Sequence, residues 1–225
     1  MEIEPDDRHF SVMMKADQSA FAQAQTDPIG ATTGHAPYIL AFGDSLTAGH
    51  GLRQAEGFPA RLEARLAPIW PGTRVHNAGS SGDTTSGGLR RLPAVLSSLR
   101  DKPDLAIVEL GANDVLRGIP PALTRSNLEQ IIGLLERCQI PALLATVAPP
   151  PLLAALAAGY ATIYQDVSVK HGVPMAPFFP SGVLGHPELV LPDRLHPNAR
   201  AIDLCAEAMA PVVRALLAPR FAVAP

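Results

Sequence analysis

The sequence has no apolar run that approaches the roughly 20 residues a helix needs to cross a bilayer, which argues against an integral membrane span. It also has no basic stripe, and its net charge is −3, so binding to nucleic acid or to an anionic membrane surface is not expected. Cysteine is scarce, with only Cys138 and Cys205. Both lie in apolar, helix-like patterns, which predicts two buried free thiols rather than a disulfide or a metal-binding pair.

The composition is that of one sizeable globular domain. Hydrophobic residues make up 47% and charged residues 17% of the 225 residues, enough to bury a large core. Residues 1–36 show no sustained periodicity and are predicted to form a flexible N-terminal arm, which leaves residues 37–220 as the folded domain. Residues 20–24 have the small-residue spacing of a signal-peptidase site, but no apolar segment precedes them. We therefore expect a cytoplasmic protein, with the periplasm or secretion as the alternative.

Strand-like and helix-like segments alternate from Tyr38 onward. This alternation requires crossover connections and predicts an α/β fold, in which a mostly parallel, flavodoxin-like sheet of five strands carries helices on both faces. One helix is predicted to begin at a capping box, residues 126–129, and to run through Cys138 with that side chain pointing inward. Strands are predicted at residues 38–42, 74–78, 105–110, 142–147 and 173–176, and the other helices at 58–66, around 89–99, from the prolines at 149–151 to Gly172, and at 199–217.

Polar segments follow three of the predicted strands. These segments are residues 43–46, 77–84 and 111–114, and a fourth, residues 193–197, precedes the last helix. Because the carboxyl ends of parallel strands lie at one edge of a sheet, we expect the first three segments to converge there. The fourth must reach the same edge for a joint site to form.

The residue types in these segments suit hydrolysis of an ester through a serine. Such a reaction needs a nucleophile, a base, a group that orients the base, and donors for the developing oxyanion. We predict Ser45 as the nucleophile, His196 as the base and Asp193 as the carboxylate that orients it. The predicted oxyanion donors are the backbone N–H groups of Ser45 and Gly82 and the side-chain amide of Asn113. Glycine at position 82 lets the backbone approach the substrate closely.

Other polar residues favour structural roles. Asp44, Asp83 and Asp114 lie in tight turns, where short carboxylates usually bond to nearby backbone. The histidines outside the fourth segment show no ligand spacing among themselves, so no metal site is predicted; those considered are His50, His76, His171 and His186. The glycines near Ser45 lack the spacing of a phosphate-binding loop, and no cofactor is expected.

Four blocks stand together in this chain: Gly43-Asp44-Ser45-Leu46, Ser81-Gly82-Asp83-Thr84, Gly111-Ala112-Asn113-Asp114 and Asp193-Arg194-Leu195-His196-Pro197. They resemble the conserved blocks of the GDSL, or SGNH, hydrolases. From about residue 38 to 217, the chain looks most like the small bacterial acyl-CoA thioesterase, lysophospholipase and arylesterase group. The resemblance implies a three-layer α/β/α sandwich and a metal-free serine mechanism. Its named residues fall on Ser45, Gly82, Asn113 and His196, with Asp193 completing the triad.

The chain departs from the family pattern at two positions. Arg194 stands where small residues are common after the triad acid, which changes the charge at the rim of the pocket. Ala112 replaces a frequent glycine beside Asn113, a change that matters only where the loop needs a positive φ. Members of this family are often exported, which is the basis for the periplasmic or secreted alternative.

An apolar segment, residues 149–156, follows the fourth predicted strand and is expected to border the same edge. With residues 115–119 it is predicted to line a groove for an acyl chain or an aryl group, with ordinary core packing as the alternative. The substrate-binding residues predicted on this basis are Val115, Leu116, Leu152 and Leu153.

The expected function is that of a serine esterase that acts on small-molecule acyl esters or thioesters. The alternatives are a carbohydrate O-acetyl esterase on the same scaffold and a non-catalytic, flavodoxin-like binding module. The sequence carries no signal for the oligomeric state.

Overall fold

Five parallel strands lie side by side in one sheet. The computed structural model describes residues 35–148 and 157–221. The order across the sheet is β2-β1-β3-β4-β5, and every neighbouring pair is parallel. This is the flavodoxin-like order, and it confirms the predicted α/β fold. The strands are β1 (Tyr38–Gly43), β2 (Arg74–Gly79), β3 (Leu105–Glu109), β4 (Ala142–Thr146) and β5 (Met175–Pro177).

Helices cover both faces of the sheet, because successive side chains of a strand point to opposite faces. Ile39 and Ala41 of β1 belong to one apolar cluster, and Leu40 and Phe42 belong to the other. The first cluster also contains side chains of α2 and α7, and the second contains side chains of α3, α5 and α6. The helices of the described residues are α1 (Ser45–Ala48), α2 (Phe58–Leu66), α3 (Thr85–Ser98), α4 (Ala112–Leu116), α5 (Pro121–Arg137), α6 (Ile163–His171) and α7 (Ala199–Leu217).

The strand register brings three of the predicted loops to one edge. Gly43, the last residue of β1, is paired with Gly79 on β2 and with Glu109 on β3. The segments that follow these residues therefore leave the sheet side by side, as expected. None of the helices in the described ranges combines the length and the hydrophobicity needed to cross a membrane.

The predicted start of α5 is wrong. The helix begins at Pro121 with Pro120 as its N-cap, and residues 126–129 lie inside it. Proline is well suited to the first turn, because its φ is already helical and the missing N–H would have no partner there. The prediction for Cys138 is wrong as well: it caps the C-terminus of α5 and is exposed, whereas Cys205 is buried. Both thiols are free.

The helix predicted between residues 149 and 172 is interrupted. A 3₁₀ turn at Ala158–Tyr160 precedes α6, which starts only at Ile163. Its predicted end is correct, because Gly172 caps it in the left-handed conformation with φ 62°. Residues 149–156 and nearly all of the predicted N-terminal arm, residues 1–34, lie outside the described residues, so the domain boundaries stay a prediction.

Candidate active site

Ser45 is the first residue of α1, directly beyond the end of β1. Asp44 caps this short helix by accepting a 3.0 Å hydrogen bond from the N–H of Leu46. Gly49 ends the helix with φ 80° and donates its N–H to the carbonyl of Ser45. The strand and the two caps thus fix the backbone of Ser45, whose side chain borders an open cleft.

His196 and Asp193 lie beside Ser45, although 148 residues of sequence separate Ser45 from Asp193. The Nε2 atom of His196 is 3.0 Å from Ser45 Oγ, and its Nδ1 atom is 2.7 Å from Asp193 Oδ2. The other carboxylate oxygen of Asp193 accepts hydrogen bonds from the N–H groups of Leu195 and His196. The three residues predicted as nucleophile, base and orienting acid are therefore in one hydrogen-bonded row.

The loop that carries Asp193 and His196 has a constrained backbone. A bridge pairs Val190 with Pro197, and the N–H of Leu191 donates to the carbonyl of His196 at 2.7 Å. Arg194 adopts φ 58°, a conformation that non-glycine residues seldom take. Hydrogen bonds from the backbone of Leu195 and from the ring and backbone of His196 hold the pKa of Asp193 well below its usual range. Asp193 is therefore a carboxylate at neutral pH.

The predicted oxyanion donors come from three loops. The amide nitrogen of Asn113 donates one hydrogen bond to Asp44 Oδ2 at 2.9 Å, which leaves its second N–H for a ligand. The hydrogen bonds among the described residues use neither the backbone N–H of Ser45 nor that of Gly82. Gly82 adopts φ 77°, so glycine is favoured there for its conformation as well as for space. Ser45 and Asn113 line the cleft, whereas Gly82 does not.

Arginines fix the loop around Gly82. Arg117, just after α4, donates a 2.7 Å hydrogen bond to the carbonyl of Gly82. Arg91 of α3 pairs with Asp83 at 2.6 Å and also donates to the carbonyls of Gly43 and Ala78, at the ends of β1 and β2. The loop therefore has a set position relative to the strand that carries Ser45. Asp83 takes part through this ion pair rather than in the cleft.

Asp114 has a similar structural part on the other side of Asn113. Its carboxylate is buried and accepts hydrogen bonds from the N–H and hydroxyl of Thr85 and from the hydroxyl of Thr124. These contacts tie the start of α3 to α4 and α5. Asn127 of α5 completes this link by donating to the Thr85 hydroxyl at 3.0 Å.

A second acidic side chain is buried beneath Ser45. Glu109, the last residue of β3, is 1% exposed. Its Oε2 atom accepts hydrogen bonds from the Thr47 hydroxyl at 2.9 Å and from the Asp44 N–H at 3.3 Å. Burial raises the pKa of Glu109 well above its usual range, and the charge of Asp44 raises it further.

Asp44 is affected by the same burial. Burial raises its pKa, whereas hydrogen bonds from the Leu46 N–H, from Glu109 and from the Asn113 amide lower it. Since Asp44 has these donors and the Oε1 atom of Glu109 has none among the described residues, the proton of this pair belongs on Glu109. Asp44 is then the carboxylate that holds the Asn113 amide.

The cleft itself is mostly apolar and has a volume of about 700 Å³ including its open mouth. Val115 and Leu116, both predicted to bind substrate, line it. Leu152 and Leu153 lie outside the described residues. The other apolar side chains of the wall come from separate loops, whose paths no sequence periodicity reveals. They are Leu46, Ala112, Val147, Ala148, Phe179, Leu184 and Leu195.

His50 is a further residue that the sequence analysis did not place at the site. Its ring centroid lies 4.2 Å from that of His196, with 35° between the two planes. His50, Asp193 and His196 form a group of potential metal ligands, one atom of each lying within 4.8 Å of the others. The only sequence signal for this position is that His50 follows Ser45 by five residues.

Comparisons with known proteins identify the family of the chain. The family model described as GDSL-like lipase/acylhydrolase matches residues 41–203. The chain belongs to the GDSL-like lipase/acylhydrolase family. Over 181 residues it is 36% identical to esterase TesA of Pseudomonas aeruginosa (80% of this chain, 89% of the relative) and 34% identical to thioesterase 1/protease 1/lysophospholipase L1 of Escherichia coli K12 (80% and 84%).

A solved structure gives the same result. The esterase AlinE4, described as an SGNH-hydrolase family member, is 45% identical and superposes with a TM-score of 0.66, covering 82% of this chain and 98% of that one. The expected resemblance is thus confirmed, and the chain is an enzyme that hydrolyses ester bonds.

The alanine at position 112, where the family often has glycine, does not disturb the loop. In the described ranges the residues other than glycine with positive φ are Gln139 and Arg194, so Ala112 does not need this conformation.

Proposed function

We propose that this GDSL-family hydrolase is a serine esterase that cleaves small-molecule carboxylic esters and thioesters through a triad of Ser45, His196 and Asp193 and an acyl-enzyme. The observation that carries the proposal is the 3.0 Å distance between Ser45 Oγ and His196 Nε2, with His196 Nδ1 held 2.7 Å from Asp193. This row is the arrangement in which an imidazole takes the proton of a serine hydroxyl.

In the first half of the reaction, Ser45 Oγ attacks the carbonyl carbon of the substrate while His196 Nε2 takes its proton. Asp193, ionised because its hydrogen bonds lower its pKa, holds the other ring nitrogen as the proton donor and stabilises the positive imidazolium. The N–H groups of Ser45 and Gly82 and the free N–H of Asn113 stabilise the negative oxygen of the tetrahedral intermediate. The intermediate then expels an alkoxide or thiolate, which leaves with the proton from His196.

In the second half, water attacks the acyl group on Ser45. His196 accepts a proton from this water, and the new tetrahedral intermediate releases the carboxylic acid as the proton returns to Ser45. The same donors serve both intermediates, because the oxyanion forms on the same carbonyl oxygen.

The apolar lining favours an acyl chain or an aryl group over a sugar. The side chains that line the cleft with Ser45 include Val115, Leu116, Phe179 and Leu184, which offer contact area but no hydrogen bonds to hydroxyl groups. The names of the two relatives, an esterase and a thioesterase/lysophospholipase, support both ester and thioester substrates.

The test is hydrolysis of a substrate panel by the wild type and by Ser45→Ala. The panel contains p-nitrophenyl acetate, longer p-nitrophenyl esters, palmitoyl-CoA and acetylated xylan. We expect turnover of the longer esters and the thioester, with a loss of at least about 1,000-fold in Ser45→Ala. Ser97→Ala is the matched control, since Ser97 is exposed on α3 and its hydroxyl donates to the carbonyl of Pro93.

An organophosphate reagent provides a second readout. It should add one phosphoryl group to Ser45 in the wild type and none at this residue in Ser45→Ala, as seen by mass spectrometry of the peptides. Full activity of Ser45→Ala would contradict the mechanism. A clear preference for acetylated xylan would instead favour the carbohydrate esterase alternative.

A further inference from the structure

The ring of His50 lies next to that of His196, the proposed base of the triad. It follows Gly49 at the end of α1, and its N–H donates to the carbonyl of Ser45 at 3.1 Å. Its ring lies over that of His196 at 4.2 Å. The side chain is exposed, and its ring nitrogens make no hydrogen bond within the described part of the chain. A ring nitrogen of His50 is therefore available close to His196, the proposed catalytic base.

The ligand atoms around this point suit a transition-metal ion. His50, Asp193 and His196 supply two imidazoles and one carboxylate, with one atom of each within 4.8 Å of the others. Two histidines and a carboxylate, with water in the fourth position, form a common zinc environment. In a tetrahedral zinc site the ligand atoms are about 3.3 Å apart, since each bond is about 2.0–2.2 Å long. Asp193 is held by its hydrogen bonds, whereas His50 is exposed, so rotation of the His50 side chain can bring its nitrogen closer to the other two ligand atoms.

The chemistry of the three side chains also suits a cation. A carboxylate and two imidazole rings offer electron pairs of the kind that a divalent transition metal binds.

We propose that His50, Asp193 and His196 form a binding site for a divalent transition-metal ion such as Zn²⁺, and that the bound ion inhibits hydrolysis. The ion takes the place of the proton between His196 Nδ1 and Asp193 Oδ2. That proton moves to Nε2, so one N–H bond breaks as another forms. The Nε2 lone pair that would accept the Ser45 proton is then missing.

Binding of the ion and inhibition by it depend on different properties of the site. Binding depends only on the three ligands. Inhibition rests on the proposed function, because it requires His196 to act as the base. A measurement of binding that does not use activity therefore separates the two.

The test combines calorimetric titration with ZnCl₂ and inhibition of p-nitrophenyl ester hydrolysis by ZnCl₂, near neutral pH, with the full chain. His50→Phe keeps a ring over His196 but has no nitrogen ligand. His76→Phe is the matched control, because His76 is exposed on β2 and its ring lies 6.4 Å from that of Tyr38, at the other end of β1. Ser45→Ala serves for binding alone, since it keeps all three ligands.

We expect the wild type, His76→Phe and Ser45→Ala to bind Zn²⁺ with equal affinity. In His50→Phe, both the dissociation constant and the half-inhibitory zinc concentration should rise by at least about tenfold, the lower limit for removing even an outer partner of a zinc ligand. Co²⁺ should give the visible absorption of a four-coordinate site in the wild type, and this absorption should be lost in His50→Phe.

Two results would overturn the proposal: equal zinc affinity and inhibition in the wild type and His50→Phe, or no zinc binding by the wild type. If Ser45→Ala proves fully active, the proposed mechanism fails, whereas the calorimetric comparison of the wild type with His50→Phe still decides whether the metal site exists.

Discussion

The amide of Asn113 is oriented before any substrate arrives. Its nitrogen donates to the carboxylate of Asp44, which is fully buried and also accepts from the N–H of Leu46. One amide N–H is thereby fixed, and the planar amide group sets the direction of the other. A donor that needs no rearrangement during the reaction contributes more to stabilising an oxyanion than one that must rotate into place.

Replacing Asn113 with alanine should therefore reduce kcat on the order of 100- to 1,000-fold, the usual effect of losing one oxyanion donor. KM should change little, because the donor acts on the charge that develops in the transition state. Steady-state kinetics with a p-nitrophenyl ester measures both constants, and circular dichroism checks the fold. Gln130→Ala, which removes an exposed amide of α5 that donates to Ser126, is the control and should stay close to the wild-type rate. A loss of less than about tenfold for Asn113→Ala would count against its proposed part in the oxyanion hole.

The helices show which sequence signals determine an element's limits. Helices α2 and α7 have the predicted bounds, because their apolar periodicity is interrupted by clear signals such as Pro68 and the N-cap Asn198. In α5 both the capping-box pattern and Pro121 could mark the start of the helix. The helix starts at Pro121, and residues 122–125 continue it without a break. Ser126 is then exposed inside the helix instead of capping it, and the next residue, Asn127, donates to the hydroxyls of Thr85 and Ser86. Local capping signals thus predict a boundary only where no alternative start lies a turn earlier.

Two alanine substitutions distinguish a true N-cap from a capping sequence inside a helix. Thr84 caps α3 by accepting a hydrogen bond from the N–H of Gly87 at 3.2 Å, so Thr84→Ala should lower the free energy of unfolding by about 0.5–2 kcal/mol. Ser126 is exposed in the interior of α5, and Ser126→Ala should change it by no more than about 0.5 kcal/mol. Urea unfolding of both variants provides the measurement. A cost of Ser126→Ala as large as that of Thr84→Ala would place the start of the helix at Ser126 after all.

The site was predictable where it depends on strand ends and short spacings. Ser45 and Asn113 follow strands, and Asp193 and His196 are three residues apart, so chemistry and topology were sufficient to select them. His50 and Phe179 were not predictable in this way, because their approach depends on the paths of two loops. The exposed position of Cys138 has a similar cause: a helical pattern gives the face of a residue but not the point where the helix ends and its neighbours stop covering it.

The middle of the sheet carries a buried pair of acidic side chains. Both apolar clusters pack against the central strands β1 and β3, and Glu109 and Asp44 stand at the carboxyl ends of these strands. Neither side chain is more than 1% exposed. Ionising both would place two like charges in a region of low dielectric, at a large cost. The protein therefore keeps a proton on Glu109 that the unfolded chain, whose glutamates have a pKa of about 4.3, releases.

This proton makes the stability of the protein depend on pH with a definite sign. Above the unfolded pKa of about 4.3 and below the raised pKa of Glu109, the native state binds one more proton than the unfolded state, so stability falls as pH rises, by up to about 1.4 kcal/mol per pH unit. Glu109→Gln should remove this slope, because an amide does not titrate and its nitrogen can still donate to Asp44. The variant should thus gain stability relative to the wild type from mildly acidic to neutral pH.

Urea unfolding of the wild type and Glu109→Gln at several pH values over this range tests the prediction. Glu188→Gln is the matched control, since it makes the same change at an exposed position. The difference between Glu188→Gln and the wild type should be nearly constant with pH, whereas that of Glu109→Gln should grow. If the curves of the wild type and Glu109→Gln were parallel, Glu109 would be ionised in the native protein. Two negative charges, on Glu109 and on Asp44, would then be buried side by side while Asp44 still accepts the hydrogen bond from Asn113.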